Sequence, residues 1–138
     1  MTIDADGKIY TVNNSHDRYE TWDFTTGFIA ESASGIENTF ASLATIGTDL
    51  ANIDWGGGGH GILIPKDYGA GEVDYPVPDI SKPYNLGMMS SNYLVIGIDV
   101  TNSKIMIGKY DSSFVKVWTT IVAAGGYSMT CAVAAYPF

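Results

Sequence analysis

The stretch from Tyr93 to Val122 constrains the fold more than any other part of the chain. Its first part, Tyr93–Val100, is nearly all apolar and rich in β-branched residues, which is typical of a strand buried on both faces. After a polar turn, residues 104–110 alternate in side-chain character, as a strand with one buried face does. A second polar turn at 111–113 leads into a third strand over 114–122. Three strands joined by two tight turns predict an antiparallel meander.

A family resemblance lies within this meander. Residues 95–111 contain IGIDVTNSKIMIGKYD and resemble the late hairpin of SPRY or concanavalin-like β-sandwich domains. In those domains an apolar strand ends in Asp, turns at a polar residue and returns with Lys, Ile and aromatic residues. They are common in phage tail proteins and in eukaryotic recognition domains. The resemblance implies an antiparallel two-sheet sandwich, jelly-roll or concanavalin-like, with a recognition or structural role.

A second meander predicts an alternative architecture. Residues 7–31 contain three short strands separated by polar turns and resemble one blade of a β-propeller. A shift of 88 residues pairs Asn14 with Asn102 and Asp23 with Asp111, and half of that shift is a period of 44. The alternative fold is therefore three four-stranded units of about 44 residues, either propeller-like or a β-trefoil. A three-blade array cannot close on itself and would have to oligomerise.

The segment 36–53 is open to two interpretations. Its apolar residues recur at helical spacing, and Ser34 and Glu37 are placed like a capping box, so a helix is favoured. Threonine and glycine residues inside the segment are poor helix formers. Two strands, 40–46 and 50–55, are therefore the alternative.

Length and composition indicate one folded domain. The chain has 138 residues, of which 46% are hydrophobic and only 16% are charged, so intrinsic disorder is excluded and a real core is possible. We expect a single mainly β domain over 1–138. Cys131 is the only cysteine, which excludes an internal disulfide and favours a buried thiol. No apolar run is long enough to cross a membrane.

The charge distribution disfavours nucleic acid as a partner. The net charge is −8, and residues 1–65 carry nine acids against two cations, whereas residues 66–138 carry six against five. Such a chain repels phosphates.

The N-terminal residues MTIDADGK lack the basic region and apolar core of a secretory signal. We therefore expect a location in a virion or on an extracellular surface reached without a signal peptide, and otherwise in the cytoplasm.

The sequence contains no catalytic or metal-binding motif. Residues 15–17 read Ser-His-Asp, but adjacent side chains diverge and cannot form a triad. Asp4 and Asp6 resemble the start of a calcium loop that lacks its later ligands, so a solvated turn is the better interpretation. We expect no enzymatic activity, no cofactor and no metal.

The aromatic residues are the most suggestive candidates for a binding site. Exposed tryptophan rings stack on sugars and anchor protein interfaces, although most aromatic residues belong to the core. The candidate ligand-binding residues are Trp22, Trp118, and the pair Trp55 and His60 that flanks a run of four glycines. Two functions follow as hypotheses. The first is a non-enzymatic structural module, such as a phage tail, fibre or capsid-decoration protein, which forms a homo-oligomer or binds other structural proteins. The alternative is a carbohydrate-binding module.

Overall fold

The computed structural model describes residues 1–4, 6–13, 18–31, 43–46, 49–54, 60–65 and 73–124. These residues form twelve strands and no helix. The strands make three antiparallel sheets of four, and each sheet takes four consecutive strands in chain order. The prediction of a mainly β, antiparallel fold is confirmed.

The three sheets are numbered in chain order. Sheet 1 contains β1 (Thr2–Ile3), β2 (Ile9–Asn13), β3 (Arg18–Asp23) and β4 (Gly27–Glu31). Sheet 2 contains β5 (Ala44–Ile46), β6 (Asp49–Asp54), β7 (His60–Pro65) and β8 (Val73–Pro76). Sheet 3 contains β9 (Lys82–Met89), β10 (Asn92–Asp99), β11 (Lys104–Tyr110) and β12 (Lys116–Ala124).

Aspartates hold the tight turns between strands. Asp23 Oδ1 accepts hydrogen bonds from the backbone N–H groups of Thr25 (2.8 Å) and Thr26 (3.1 Å), and Asp99 Oδ1 accepts one from Asn102 (3.2 Å). A short carboxylate that satisfies the backbone two or three residues ahead favours a turn over a continuing strand. Both predicted meanders, in sheet 1 and in sheet 3, are confirmed.

The strand positions repeat along the chain. The third strands of the three sheets begin at residues 18, 60 and 104, which are 42 and 44 residues apart. Each described sheet has four strands, and equivalent strands of consecutive sheets begin 38 to 46 residues apart. The alternative prediction of three units of about 44 residues stays a prediction. The preferred prediction needs two sheets, and the two-sheet sandwich is not confirmed.

The segment 36–53 corrects one prediction. Within its described part, residues 44–46 and 49–53 belong to strands β5 and β6, so the helix predicted there is wrong and the two-strand alternative fits. Residues 36–42 and 47–48 lie outside the described residues. Tertiary pairing outweighs helical spacing here, because β6 forms ladders with both β5 and β7.

Sheet 2 lies between the other two sheets. Its strand β6 has four consecutive buried residues, Leu50–Ile53, so both of its faces are covered. Ala51 and Ile53 belong to the hydrophobic core shared with sheet 3, to which sheet 3 contributes buried side chains that include Tyr93 and Val95. The opposite face, which carries Leu50 and Asn52, is turned towards sheet 1.

Sheet 1 joins sheet 2 through polar contacts. The amide Nδ2 of Asn52 donates to the hydroxyl of Tyr19 (2.9 Å), and Thr45 Oγ1 donates to the carbonyl of Ile3 (3.2 Å). Tyr19 and Asn52 are almost completely buried. This hydrogen bond stabilises the packing of the two sheets, since a buried amide without its partner is costly.

Tyr19→Phe tests this packing. The variant leaves the Asn52 amide with one hydrogen-bond partner fewer, so we expect the free energy of unfolding to fall by about 1–3 kcal/mol. Urea denaturation measures it. Tyr84→Phe, at a half-buried tyrosine of β9, is the matched control and should change stability by less than about 0.5 kcal/mol. Equal losses in the two variants would contradict the role of the Tyr19–Asn52 hydrogen bond.

Strand β10 departs from its prediction in one respect. Tyr93 and Val95 are buried, but Leu94 and Ile96 between them are only half-buried. The sequence is suited to burial on both faces, whereas the folded chain buries one face fully.

In the described residues, no helix is long and apolar enough to cross a membrane.

Candidate functional site

The first candidate surface is the side of sheet 3 that points away from sheet 2, here called the outer face of sheet 3. Strand pairing aligns Leu94, Lys109 and Trp118 across three strands and places Ile96 opposite Ile107. Trp118 is 40% exposed and the others are half-buried. This surface is mainly apolar, with Asn85 and Thr120 beside Ile96 and Ile107. Its charged residue Lys109 forms no ion pair with any described residue. An apolar sheet face of this kind is typical of an interaction surface.

Strand β12 adds an exposed edge to that face. It pairs only with β11 among the described strands, and Val117, Trp118, Ile121 and Val122 are all at least 40% exposed. After Lys116 the strand carries no charge and no proline. Its pairing with β11 contains two register shifts, but after Lys116 the strand lacks the charged residues that usually protect an edge strand from pairing with another chain. Such an edge favours contact with another protein chain.

The opposite end of the stack carries a second apolar surface, here called the outer face of sheet 1. Cross-strand pairing aligns Ile3, Ile9, Trp22 and Phe28 in one row. The Trp22 and Phe28 rings meet edge to face at 5.4 Å, and Phe28 is 52% exposed. Glu20 lies on the same face, where its Oε2 accepts a hydrogen bond from Trp22 Nε1 (3.1 Å).

A third candidate is a pocket of about 380 Å³ between β8 and the turn that joins β11 to β12. It is lined by Tyr75, Pro76, Pro78, Ser113, Phe114, Val115 and Lys116. Its walls are mostly apolar, with a lysine and a serine at the rim. A pocket of this size and chemistry is suited to a small ligand.

Phe114 forms the floor of this pocket in a strained conformation. Its φ of 56° lies in the left-handed region, where a bulky side chain is disfavoured. The turn is closed by Asp111, whose Oδ1 accepts hydrogen bonds from the N–H groups of Ser113 and Val115 (2.9 Å each). The ring is 2% exposed and stacks on Tyr93 at 4.6 Å and on Tyr75 at 6.4 Å. Aromatic burial therefore offsets the backbone strain.

A polar cluster lies next to the pocket. Asp79 Oδ2 accepts hydrogen bonds from Lys116 Nζ and Thr119 Oγ1, both at 2.8 Å, and these hold the pKa of Asp79 below its usual value. The hydroxyl of Tyr110 donates to the Pro78 carbonyl (2.6 Å). Burial, and then the charge of Asp79, raises the pKa of Tyr110 above its usual range. The cluster joins sheet 3 to the segment that follows β8.

Asp79→Asn tests the charge in this cluster. Asparagine tolerates the left-handed φ of 70° at this position, so the backbone is preserved. Because the folded-state pKa is depressed, the carboxylate stabilises the fold above its ordinary pKa of 3.8, and that contribution is lost as the pH falls through the lower folded value. The pair is exposed, so we expect the variant to lose about 0.5 kcal/mol at pH 7 and less at pH 3, measured by urea denaturation. A difference that stays constant with pH would contradict this expectation.

The structure separates the residues predicted to bind ligands. Trp22 lies on the outer face of sheet 1, and Trp118 lies on the outer face of sheet 3. His60 begins β7, where its backbone pairs with Asp54 and Pro76. Trp55 and Cys131 lie outside the described residues. Trp22 and Trp118 therefore do not form one site within a single chain.

Asp4 and Asp23 stabilise a turn and an ion pair. Asp4 Oδ1 accepts hydrogen bonds from the N–H groups of Asp6 and Lys8 (2.9 Å each), so the segment that resembles a calcium loop is a turn. Lys8 Nζ bonds Asp23 Oδ2 at 2.8 Å, and that hydrogen bond lowers the pKa of Asp23. Among the described residues, no group of three His, Cys, Asp or Glu side chains is placed to hold a metal ion.

Sequence reasoning missed Tyr75 and Phe114 as site residues. The Asp-Ser-Ser turn before Phe114 was a signal, but the sequence predicts a strand that starts at 114, whereas β12 starts at Lys116. Nothing in the sequence places Tyr75 next to Phe114, because 38 residues separate them and packing between two sheets brings them together.

Comparisons of the chain with protein-family models, curated proteins and solved structures found no match. The resemblances of 95–111 to SPRY or concanavalin-like domains and of 7–31 to a propeller blade stay predictions.

Proposed function

We propose that this protein is a non-enzymatic structural and interaction module built from three propeller-like units, and that it works as an assembly component of a virion, such as a tail, fibre or capsid-decoration protein. The observation that carries the assembly role is the exposed apolar surface of sheet 3. Its edge strand β12 exposes apolar side chains on both faces, and Trp118 links that edge to the outer face of the sheet.

The packing of the sheets supports the propeller-like description. Strand β6 of sheet 2 is buried on both faces, which fits consecutive blades packed face to face. The first strands of the sheets lie next to each other, because β1 contacts β5 and β5 contacts β9. A β-trefoil would instead gather its units around one common core, and the described core joins only sheets 2 and 3. The resemblance of 95–111 to hairpins of phage tail proteins supports the virion assignment.

The solution mass tests the assembly role. We expect purified protein to form a stable oligomer of defined stoichiometry at micromolar concentration, because exposed apolar sheet surfaces are stabilised by burial. Light scattering coupled to size-exclusion chromatography measures the mass. A monomer at every concentration tested would contradict the assembly role.

The pocket favours carbohydrate binding as a second candidate function. Tyr75 presents a half-buried ring beside the pocket floor, and Lys116 and Ser113 offer hydrogen-bond donors at its rim. Aromatic faces and polar rims together suit a sugar ring. We expect a bound glycan to change the intrinsic fluorescence and Tyr75→Ala to abolish that change. A glycan array without binding would contradict this second function and leave the assembly role intact.

A further inference from the structure

Sheet 2 packs against sheet 1 on one side and against sheet 3 on the other. In sheet 2, Leu50 and Asn52 lie against sheet 1, while Ala51 and Ile53 lie in the core with sheet 3. Sheets 1 and 3 each pack one face on sheet 2 and leave an apolar outer face half-exposed or exposed. The apolar run of β10 is suited to two covered faces, and the chain fully buries only one of them.

The order of the sheets indicates which surface fits the outer face of sheet 3. Sheet 1 packs on one face of sheet 2, and sheet 3 packs on the other, with the first strands β1, β5 and β9 adjacent. A further sheet that packs on sheet 3 in the same way would cover the outer face of sheet 3 with one of its own faces. Sheet 1 of a second copy can supply such a face, because its outer face is not covered by sheet 2 of its own chain.

The chemistry of the two outer faces is complementary. The outer face of sheet 3 carries Trp118 together with Leu94, Ile96 and Ile107, and the outer face of sheet 1 carries an apolar row that includes Trp22. Lys109 is the charged residue on the first surface, and Glu20 lies on the second. Residues 82–124 of sheet 3 hold four lysines and two aspartates, a charge of +2. Residues 1–31 of sheet 1 hold six acids and two cations, a charge of −4. Opposite charges favour contact between unlike ends over contact between like ends.

We propose that the outer face of sheet 3 binds the outer face of sheet 1 of a second copy of this chain, and that two such contacts close a ring of six sheets. Propellers have about four to eight blades, and with three sheets from each copy only six falls in that range. A two-fold axis relates the copies and makes both contacts equivalent, so no end is left open. This inference rests on the assembly role proposed above and adds its partner, its surfaces and its stoichiometry.

Two single variants test the contact from its two sides. Trp118→Glu places a charge on the outer face of sheet 3, and Phe28→Glu places one on the outer face of sheet 1. Both side chains are substantially exposed in the single chain, at 40% and 52%, so each variant is expected to fold. Every contact in the closed ring uses both surfaces, so we expect each variant alone to be monomeric where the wild type is dimeric. Phe24→Glu, at the 75% exposed residue of the β3–β4 turn, is the matched control and should remain dimeric.

Mixing the variants separates this arrangement from other dimers. The Trp118→Glu chain keeps an intact sheet 1 surface, and the Phe28→Glu chain keeps an intact sheet 3 surface. An equimolar mixture therefore restores one of the two contacts, and native mass spectrometry should detect a one-to-one heterodimer that neither variant forms alone. Circular dichroism of each variant shows whether it is folded.

Charge reversal is an independent arm of the test. Lys109→Glu should raise the dissociation constant of the dimer roughly tenfold, and adding Glu20→Lys in the same chain should recover most of that loss, since the two charges then face each other with signs exchanged. If Lys109 and Glu20 do not face each other across the contact, the second substitution will not restore the dissociation constant.

Each outcome decides between the proposals. A dimer that survives Phe28→Glu but not Trp118→Glu would mean that β12 pairs with β12 of the second copy, which overturns the six-sheet ring and leaves the assembly role standing. A trimer or any larger closed oligomer would likewise overturn the six-sheet ring and leave the assembly role standing. A wild-type monomer would overturn both proposals.

Discussion

Replacing Phe114 by alanine is expected to lower the free energy of unfolding by about 3–5 kcal/mol. The ring is 2% exposed and lies between Tyr93 and Tyr75, so the substitution removes buried apolar area and leaves a cavity in the main core. The stacking with Tyr93, at 4.6 Å and 13° between ring planes, is lost as well. Equilibrium unfolding in urea measures the change. The control is Val115→Ala at the adjacent, 61% exposed residue, which should change stability by less than about 0.5 kcal/mol.

A glycine at the same position distinguishes packing from backbone strain. Glycine adopts positive φ without steric cost, whereas alanine keeps a cost of about 1 kcal/mol. We therefore expect Phe114→Gly to be more stable than Phe114→Ala by about 1 kcal/mol, although glycine ordinarily weakens a β protein. An alanine variant that equals or exceeds the glycine variant in stability would show that Phe114 does not hold a strained backbone.

Gly97→Ala is expected to destabilise the protein by about 3 kcal/mol or more, the upper end of overpacking effects. Gly97 lies in β10, where the pairing with β9 shifts register. A Cβ added there would collide with the Lys82 carbonyl oxygen and would lie 2.7 Å from Pro83 Cα and 2.5 Å from Ile80 Cγ2. Two of these three atoms belong to the backbone of the neighbouring strand, so relief requires the strands to separate.

Gly27→Ala provides the comparison for Gly97. A Cβ at Gly27 would meet nothing within 4 Å, so the substitution carries only the strain of a φ of 79°, about 1 kcal/mol. Gly97 has no positive φ, so the excess loss in Gly97→Ala over Gly27→Ala is a lower bound on the cost of the close contacts at Gly97. Thermal or urea unfolding with unchanged circular dichroism in the native state measures it. Similar losses in both variants would mean that the β9–β10 contact adapts to an extra methyl group.

Local structure was predictable where its causes are local. The hairpins of sheets 1 and 3 follow from apolar runs that alternate or stay continuous and from aspartates that satisfy turn backbones, and both meanders are present. These signals act within a few residues, so they can be read without knowledge of the rest of the chain. The same reasoning failed over 44–46 and 49–53, because spacing that fits a helix also fits a strand whose two faces are both buried.

The candidate surfaces were predictable only in part. Trp22 and Trp118 were identified by residue type, and the structure places them on the outer faces of different sheets. The pocket was not predictable, since Tyr75 and Phe114 come from different sheets and meet only when sheet 2 packs on sheet 3. Phe114 in addition carries a positive φ that no propensity would assign to phenylalanine.

The sequence by itself determined the strand character of this protein, its tight turns and its acidic balance, because hydrophobic alternation, turn chemistry and charge are properties of neighbouring residues. Only the tertiary structure decided that the four-stranded sheets stack in the order 1, 2, 3 and that strand β6 of the middle sheet is covered on both faces. Which face of a strand is covered depends on contacts between residues far apart in the chain. In β10 these contacts bury Tyr93 and Val95 and leave Leu94 and Ile96 half-buried.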